Sequence, residues 1–582
     1  MDKKKIAAIF EEIATLLELK GANPFRIRAY RNGARAILSL DEDLEKVIKE
    51  KKLTDLPGIG EDLAGKITTL VKKGHLPFYE KLKRSTPPGV LELMQIHGLG
   101  GKKIKALHSK LKIKSVAQLK EACLKGKVAK LTGFGKKTEQ NILDSLSHRE
   151  TYRKRHLWWD AMQMAEPILE ELRKLKGVKR AEIGGSLRRK LETIGDMDFL
   201  VGAANPKPIM NWFTSHPFVA RIIGKGETKS SVKLKNGMQA DLRIVPDSQF
   251  GFALAYLTGS KEHNIKMRER AIKRGWTLSE YGLESIKPRG KGPFDSSKKL
   301  ITEEDIFKVL GLSYVPPELR EDKGEFEAAE KRKIPELVEE EDIRGTFHNH
   351  TTASDGRNTL KEMVAEAQKL GWDYIGIADH SKSSFQANGQ SEQQLLEQIE
   401  EIRKLNASKQ FRPFIFSGVE CDILPNGSLD FPDSVLKKLD YVVISIHSAL
   451  QQDEKTMTKR IIRAIEHPYT TMLGHITGRL LLQREPYKVN VAKVIDACIA
   501  NGKIIEINAN PMRLELDWRF WHAAKQKGLK CCINTDAHSI ESLHFFRAGV
   551  NVARKGWLEK KDILNTGTLT QVQKALRKIQ SK

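Results

Sequence analysis

This chain has few cysteines, no long apolar run and a shortage of acidic residues. Its five cysteines are odd in number and never occur in a C-x-x-C spacing, a pattern that favours a reducing cytosol. No apolar run is long enough to span a bilayer, and the lysine cluster at residues 3–5 is followed by glutamates rather than by a signal-peptide core. We therefore expect a cytoplasmic protein with no membrane partner.

The shortage of acidic residues leaves a large positive charge. Lys and Arg total 100 against 74 Asp and Glu, which gives a net charge of +26 and a pI of about 9.6. Basic side chains displace the counterions that condense on nucleic acid, so nucleic acid is the first candidate partner. At 582 residues the chain also exceeds the roughly 250–300 residues that a single core can serve, so several domains are expected.

A short glycine pattern recurs three times in the basic N-terminal quarter. An apolar residue, any residue, glycine, an apolar residue and glycine occur at residues 56–60, 96–100 and 131–135, each before a lysine-bearing helical pattern. A helix that opens on such a turn presents backbone N–H groups to a phosphate, as a helix-hairpin-helix does. One copy is more typical of a plain turn, but three copies predict non-specific contact with the DNA backbone. The glycines concerned are Gly58, Gly60, Gly98, Gly100, Gly133 and Gly135.

Further along, a glycine turn with two arginines leads into an apolar strand that carries two aspartates. Asp196 and Asp198 are two positions apart, so in a strand they point to the same face. A third carboxylate, Asp241, lies in the strand-like run 238–245 and can reach them by strand pairing. A D-x-D pair alone is common on exposed strands, but three converging carboxylates can hold two Mg²⁺ ions for an in-line phosphoryl displacement.

The turn before these aspartates, G-G-S-L-R-R, would cradle a triphosphate with Gly185, Ser186 and Arg189. Together the turn, the D-M-D strand and the later Q-A-D-L-R strand resemble the palm of the nucleotidyltransferase superfamily. Residues 256–268, Y-L-T-G-S-K-E-H-N-I-K-M-R, resemble the thumb motif of the family X DNA polymerases, a group that includes DNA polymerase beta.

The N-terminal part is also similar to that family. The segments F-R-I-R-A-Y-R at residues 25–31 and L-P-G-I-G-E-D-L-A-G-K at residues 56–66 resemble its small lyase domain, so the resemblance covers residues 1 to about 318. It implies that Lys66 falls where the family's Schiff-base lysine lies, a role that needs a partly desolvated amine. Asp62 occupies a position where the animal enzymes place a phosphate-binding lysine, so the alternative is that Lys66 is an ordinary exposed lysine.

The thumb resemblance implies roles for four residues. Tyr256 and Gly259 would line the sugar pocket, Asn264 would touch the incoming base in its minor groove, and Arg268 would contact the template strand. Two positions depart from the family pattern: Leu257 stands where animal members have an aromatic residue, which leaves sugar discrimination open, and Lys190 replaces the usual glycine after the arginine pair.

After a proline- and charge-rich stretch at residues 313–341, predicted to be a solvated linker or linker helix, the sequence consists of apolar runs that each end in a metal-ligand residue type. Such runs, alternating with helical patterns, are typical of buried parallel strands in an α/β barrel. Catalytic residues of barrels gather at the carboxyl ends of the strands. Imidazoles and carboxylates brought together there suit zinc, manganese or iron.

The H-x-H, S-D-G, A-D-H-S, G-V-E, G-H-x-T-G-R and T-D-A-H segments resemble the polymerase and histidinol phosphatase (PHP) domain. That family holds three metals with nine ligands, and the matching positions here are His348, His350, Asp355, His380, Glu420, His447, His475, Asp536 and His538. The resemblance implies Mn²⁺ or Zn²⁺ and hydrolysis of phosphate esters: 3′-5′ exonuclease, 3′-end processing or abasic-site cleavage. Arg479, in the G-H-I-T-G-R segment, could bind phosphate or act as a salt-bridge partner.

The expected fold is multidomain: α-helical N-terminal helix-hairpin-helix domains, an α+β nucleotidyltransferase palm with a thumb, and a C-terminal α/β PHP barrel of distorted TIM-like form. The predicted boundaries are 1–85 for the lyase-like domain, 86–150 for a fingers-type domain, 151–245 for the palm, 246–318 for the thumb, 319–344 for the linker and 345–570 for the PHP domain.

The predicted function is template-directed gap filling in base excision or end-joining repair, by a monomer that acts on gapped or nicked DNA and deoxynucleoside triphosphates. One alternative is a PHP nuclease or phosphoesterase whose polymerase half binds DNA but is inactive. Another is a DNA-binding scaffold with both sites inert, which the complete ligand sets disfavour.

Overall fold

A computed structural model describes residues 3–38, 44–56, 58–94, 99, 101–136, 138–140, 142–143, 146, 155–287, 293 and 301–580. The chain divides into two compact units, Met1–Lys154 and Arg155–Lys582. Among the described residues no helix is both long enough and apolar enough to cross a membrane.

The first unit is helical and has two apolar cores. Phe10, Ile13 and Ile67 belong to one core, and Leu93, Ile104 and Leu107 belong to the other. The helices that supply them are Lys3–Leu19, Pro24–Leu38, Leu44–Lys49, Glu61–Lys73, Pro77–Arg84, Pro88–Met94, Gly101–Leu111 and Val116–Leu124, with a 3-10 turn at Leu53–Asp55. This agrees with the predicted α-helical N-terminal part.

The second unit begins with a mixed five-stranded sheet, whose strands in order across the sheet are β2 (Val178–Ile183), β4 (Asp196–Ala203), β7 (Gln239–Val245), β6 (Lys229–Leu234) and β5 (Val219–Lys225). Strands β4 and β7 are parallel and the other neighbours are antiparallel. The other two strands of this region are β1 (His156–Leu157) and β3 (Thr193–Ile194). The helices that pack on or flank the sheet are Trp158–Lys174, Gly185–Arg188 and Pro206–Ser215.

A helical region follows the sheet. It contains the helices Phe250–Thr258, Lys261–Lys273 and Glu303–Val309, a 3-10 turn at Asp247–Gln249, and a hairpin of β8 (Trp276–Leu278) and β9 (Leu283–Ser285). The N-terminus of Glu303–Val309 is fixed by a capping box between Thr302 and Asp305.

The rest of the chain forms a barrel of parallel strands. These are β10 (Tyr374–Ile377), β11 (Phe414–Ser417), β12 (Glu420–Asp422), β13 (Val443–Ser445), β14 (Met472–Leu473), β15 (Ile504–Asn508) and β16 (Cys531–Asn534). Strand β10 pairs with β11, and β12 to β16 pair in sequence order. The segment around Asn349 closes the circle, because it accepts a hydrogen bond from Ala378 N on one side and forms a parallel bridge with Ala537 on the other. The predicted distorted barrel is confirmed.

Helices surround the barrel, and the last of them covers the end at which the strands begin. They are Leu360–Lys369, Glu392–Ser408, Asp433–Leu436, Glu454–Ile465, Val491–Asn501, Trp518–Gln526, Phe546–Lys555 and Leu569–Gln580, with 3-10 turns at Phe385–Ala387, Ile540–Phe545, Lys560–Asp562 and Leu564–Thr566. Val572 and Leu576 of the last helix pack in one core with Tyr374, Val443 and Ile504. These three residues begin or lie near the beginning of their strands, so the last helix closes the amino-terminal end of the barrel.

The stretch 313–341 differs in part from its prediction, because some of its charged residues are packed inside the protein. It contains the turns Pro317–Leu319 and Glu340–Asp342 and the helix Glu325–Glu330. Arg320 and Glu325 are fully buried. Arg320 forms an ion pair with Glu303. The Oε1 atom of Glu325 lies 2.8 Å from His263 Nδ1, within hydrogen-bond distance. Arg320 and Glu325 are therefore satisfied inside the protein by partners distant in sequence, whereas Lys331, Arg332 and Lys333 of the same stretch are exposed.

Glu303 is the centre of a buried ion-pair cluster in this region. Arg188 binds its two carboxylate oxygens at 3.0 and 2.7 Å, and Arg320 pairs with it from the other side. Burial alone would raise the pKa of Glu303, but the charges of Arg320 and Arg188 outweigh it and lower the pKa to about 2. A folded-state pKa below the unfolded value means that this group stabilises the fold above about pH 4.5, and that the contribution is lost as the pH falls toward 2.

We expect Glu303→Gln to destabilise the second unit by about 3 kcal/mol at pH 7, because it leaves two arginine charges without their partner. The thermal unfolding midpoint, measured by calorimetry, should fall at pH 7, and the difference from the wild type should shrink below pH 4.5. Glu304→Gln, at an exposed position of the same turn, should change the stability by less than about 0.5 kcal/mol. Equal midpoints for Glu303→Gln and Glu304→Gln at pH 7 would contradict the assignment.

Candidate active sites

The three predicted aspartates converge on the first sheet of the second unit. Asp196 and Asp198 lie on β4, and Asp198 is directly opposite Asp241 on the parallel strand β7. Gln239 donates a hydrogen bond to Asp241 at 3.0 Å, and Lys229 lies 3.8 Å from the same carboxylate. The two-residue spacing therefore places Asp196 and Asp198 on one face of β4, and the strand pairing brings Asp241 beside Asp198, as the sequence predicted.

The electrostatics of the three aspartates favour a cation. Burial, together with the charges of Asp196 and Asp241, raises the pKa of Asp198 to about 6. Burial and Asp241 also raise the pKa of Asp196. Within the described residues the three side chains do not bring three oxygens within 4.8 Å of one another, yet the carboxylate of Asp241 raises the pKa of both Asp196 and Asp198. Oxygen ligands of this kind fit Mg²⁺.

The glycine turn lies against Asp198. Gly185 has φ +61, and a Cβ placed on it would come within 2.0 Å of Asp198 Oδ2, so only glycine fits. The amide of Gly184 donates to the carbonyl of Asp198 at 2.8 Å. Ser186 lies in the short helix Gly185–Arg188 that follows, and Arg189 caps it. The predicted triphosphate residues are thus next to the predicted metal ligands.

The residues expected to contact the nascent base pair lie around the junction of the helices Phe250–Thr258 and Lys261–Lys273. Asn264 donates to the carbonyls of Tyr256 at 2.7 Å and Gly259 at 3.2 Å. A Cβ on Gly259 would come within 2.4 Å of Asn264 Oδ1, which explains the glycine. Arg268 lies one turn further along Lys261–Lys273 and is exposed.

The glycine turns of the first unit are only partly described. Gly58 has φ +91, and Gly60 caps the helix Glu61–Lys73 without a side-chain contact. Gly133 and Gly135 have φ +87 and +74. The middle turn, with Gly98 and Gly100, lies outside the described residues. DNA contact by these six glycines stays a prediction.

Lys66 lies in a partly buried aromatic environment. Its Nζ is 5.2 Å from the ring centre of Tyr30 and 5.1 Å from that of Phe78, and it forms an ion pair with Asp62. The side chain is 14% exposed. The partial desolvation that a Schiff-base lysine needs is present, but the carboxylate of Asp62 engages the same nitrogen, so both alternatives for Lys66 stay open.

The nine predicted PHP ligands meet at the carboxyl ends of the barrel strands. Glu420 is fully buried and lies within 3.6 Å of five imidazoles, among them His380 and His475, each at 2.8 Å. Three groups bring their ligand atoms within 4.8 Å of one another: His350, Asp355, His380 and His538; His348, His350 and Asp536; and His380, Glu420 and His447. His475 adjoins the last group, 3.3 Å from His447.

The buried polar atoms of this cluster fit bound metal ions. His348 Nε2, both ring nitrogens of His350, and Glu420 Oε2 are buried without a hydrogen-bond partner. Burial and the neighbouring His538 and His380 lower the pKa of His350 to about 4, which keeps it as the neutral imidazole that ligates metals. Unpartnered lone pairs in a dry interior are costly unless a cation takes them.

Two acidic residues that sequence reasoning missed orient the histidine ligands. Glu506 lies 2.7 Å from His348 Nδ1, and Asp422 pairs with His447 Nδ1. A carboxylate on the second ring nitrogen fixes the tautomer and presents the first nitrogen to a metal. Both acids could have been found: Glu506 interrupts an apolar strand, and Asp422 is two residues from Glu420, on the same face.

The structure distinguishes the two alternatives for Arg479. Its guanidinium pairs with Asp517 at 2.7 Å and donates to the carbonyls of Arg513 and Leu514, so it is a salt-bridge partner that holds a loop. Arg513, which the sequence did not indicate, instead faces the cluster: its Nε lies 3.4 Å from Asp536 Oδ2, and its Nη1 is buried without a hydrogen-bond partner.

Comparisons with known proteins cover both halves of the chain. Residues 1–76 match a helix-hairpin-helix domain family, 90–147 a SAM-like helix-hairpin-helix tandem, 253–321 the DNA polymerase beta thumb and 346–510 the PHP domain. The chain is 37% identical over 581 residues to the "DNA polymerase/3'-5' exonuclease PolX" of Bacillus subtilis (strain 168), which covers 99% of this chain and 100% of that protein.

Two other relatives match one half each. A probable phosphatase of Thermoanaerobacter sp. (strain X514) is 30% identical over 234 residues, which is 38% of this chain and 89% of that protein. DNA polymerase lambda of Rattus norvegicus is 25% identical over 311 residues, 50% of this chain and 52% of that protein.

We expect Arg513→Met to lower kcat/KM of the barrel site for a small phosphodiester by about 100-fold, because a buried guanidinium beside the metal ligands can stabilise developing phosphate charge. Arg513→Lys, which keeps the charge but not the planar fork, should lose less. Metal content, measured by inductively coupled plasma mass spectrometry, should be unchanged in both. Wild-type hydrolysis by Arg513→Met would exclude this contact.

Proposed function

Because this chain belongs to the PolX family, whose Bacillus subtilis member is named DNA polymerase/3′-5′ exonuclease, we propose that it fills short gaps in DNA repair and trims 3′ ends at a second active site. One observation carries the proposal: the three aspartates of the sheet and the nine ligands of the barrel occur together in one compact unit. Both activities are metal-dependent and the substrate is DNA.

In the polymerase site, Asp196, Asp198 and Asp241 would hold Mg²⁺. Mg²⁺ held there would favour deprotonation of the attacking 3′ hydroxyl and would stabilise the negative charge on the leaving pyrophosphate. Gly185 and Ser186 would contact the triphosphate through the turn next to Asp198. The chain's own task is to hold the nucleotide in line with the primer, since positioning supplies much of the rate of phosphoryl transfer.

Arg189, Tyr256, Gly259, Asn264 and Arg268 would complete this site. Arg189 offers a guanidinium for the phosphates, and Asn264, fixed by two carbonyls, presents its amide at the base pair. Tyr256 is partly exposed, as a wall of a sugar pocket must be. Arg268 would contact the template strand.

In the barrel site, the nine ligands would hold three ions of Mn²⁺ or Zn²⁺. Such ions supply Lewis-acid chemistry for hydrolysis of a phosphodiester or of a terminal phosphate. Glu506 and Asp422 orient His348 and His447. Because acidic protons compete with metal for these imidazoles and carboxylates, metal should be lost at low pH.

The proposed substrates are gapped or nicked DNA and deoxynucleoside triphosphates, handled by a monomer. The glycine turns of the first unit would contact the DNA backbone, and a net charge of +26 favours that contact. We place the protein in the cytosol on the ground that its five cysteines are buried free thiols. The possible 5′-deoxyribose phosphate lyase activity rests on Lys66 alone.

The two active sites are expected to be separable by mutation. Asp198→Asn should lower nucleotide incorporation by more than about 1,000-fold, because it removes a ligand of the reacting centre, and should spare 3′-5′ hydrolysis. His348→Asn should do the reverse. Both activities are followed on the same labelled primer. Loss of both activities from either single change, in a folded protein, would refute separate sites.

Matched controls exist for both variants. Asp247→Asn removes a carboxylate of the same half that pairs with Arg180 outside the triad. His467→Asn removes a histidine that pairs with Asp433 outside the ligand cluster. Neither control should lower either activity by more than about threefold, because neither residue touches a proposed site.

Extension of a primer across a short gap with a 5′ phosphate should reveal both reactions. With all four deoxynucleotides, we expect growth in Mg²⁺ and shortening in Mn²⁺, because hard oxygen ligands and mixed nitrogen and oxygen ligands favour different ions. Shortening without growth under any condition would contradict the proposal and favour the alternative, a PHP nuclease with a DNA-binding but inactive polymerase half.

A further inference from the structure

Lys555 is a fully buried lysine that joins the barrel to the polymerase half. It ends the helix Phe546–Lys555, and its side chain is 1% exposed. Its ammonium donates to the carbonyls of Arg189 at 2.9 Å and Glu318 at 3.2 Å, and to Glu321 Oε1 at 3.0 Å. All three acceptors lie outside the barrel, and together they match the three donors of an ammonium group.

The same carboxylate oxygen also holds the side chain of Arg189. Arg189 Nε donates to Glu321 Oε1 at 2.9 Å, and its Nη1 donates to the carbonyl of Thr258 at 2.9 Å. Lys555 therefore restrains Arg189 twice: directly at its backbone carbonyl, and through Glu321 at its guanidinium. Among the described residues Nη2 of Arg189 has no hydrogen-bond partner, and the charge of this guanidinium acts on Asp198 of the triad.

The neighbouring arginine shows that this arrangement is particular to Arg189. Arg188 is held by Glu303 and by Thr258 Oγ1, all within the polymerase half. A second link reinforces the junction, because Glu318 pairs with Lys190 on one side at 3.2 Å and with Arg554 of the barrel helix at 2.8 Å. The barrel thus contacts the main chain and side chains directly after the triphosphate turn.

We propose that Lys555 is a positioning residue for the incoming nucleotide, so that the barrel domain completes the triphosphate pocket of the polymerase through Glu321 and Arg189. This inference rests on the proposed function of Arg189 as a triphosphate ligand. It makes nucleotide binding depend on a residue far from the catalytic aspartates in sequence, and it gives the barrel a task in synthesis that is separate from hydrolysis.

The test is steady-state insertion of one nucleotide by the full chain into a gapped DNA. Lys555→Met keeps an unbranched side chain, shorter by one atom, and removes its charge and donors, so we expect KM for the nucleotide to rise by roughly 10- to 100-fold, as for a small misplacement of a positioning group. The value of kcat should change much less. Glu321→Gln should raise KM in the same direction, and the double variant should be no worse than Lys555→Met alone, because both act through Arg189.

Lys525→Met is the matched control. Lys525 is a half-buried lysine of the barrel that pairs with Glu559 at 2.6 Å and Asp562 at 3.1 Å, without reaching the polymerase half. Its loss should lower thermal stability but leave KM for the nucleotide unchanged. A general loss of stability lowers the active fraction, and hence the apparent kcat, whereas a displaced Arg189 raises KM.

The outcomes separate this inference from the function on which it rests. If the wild type inserts no nucleotide, the proposed function fails. If the wild type inserts nucleotides and folded Lys555→Met has the wild-type KM, the inference is overturned. Should Lys555→Met not fold, Glu321→Gln decides alone: a raised KM with retained hydrolysis of a small phosphodiester supports the inference, and an unchanged KM overturns it.

Discussion

A charge that leaves water must find an opposite charge or a bound cation, and the second unit depends on how this constraint is met. At Glu303 two arginines meet it, and the pKa of the carboxyl falls to about 2. At Glu318 and Glu321 the partners come from both halves of the unit. At Glu420 the partners are imidazoles that also have unpaired nitrogens, an arrangement that fits a bound metal ion better than a structural ion pair.

Features that depend on local periodicity could be predicted from the sequence. The spacing of Asp196 and Asp198 fixes their shared face in any strand, and the apolar runs before His380 and Glu420 place both at strand ends. In each case the reason for the residue lies within a few positions, or in the pairing of recognisable strands.

Features that depend on partners far along the chain could not be predicted in this way. The run 313–341 is predicted to be solvated because its charges have no partner nearby in the sequence. In the folded chain Arg320 pairs with Glu303, and Glu325 pairs with His263. Arg513 follows an Asn-Pro-Met loop, and no periodic pattern in the sequence indicates that it lies near the predicted ligands. Arg479 lies in a recognisable motif, but its guanidinium forms an ion pair with Asp517 instead. Only the packed structure decides which of two arginines faces the site.

The helix Leu569–Gln580 packs across the amino-terminal ends of the barrel strands, while the nine ligands lie at the carboxyl ends. The barrel interior between them is filled by side chains such as Phe347 and Tyr441. The barrel is therefore closed at its amino-terminal end, and no channel runs through its described residues. A substrate that reaches the nine residues can thus enter and leave only at the carboxyl-terminal end of the barrel.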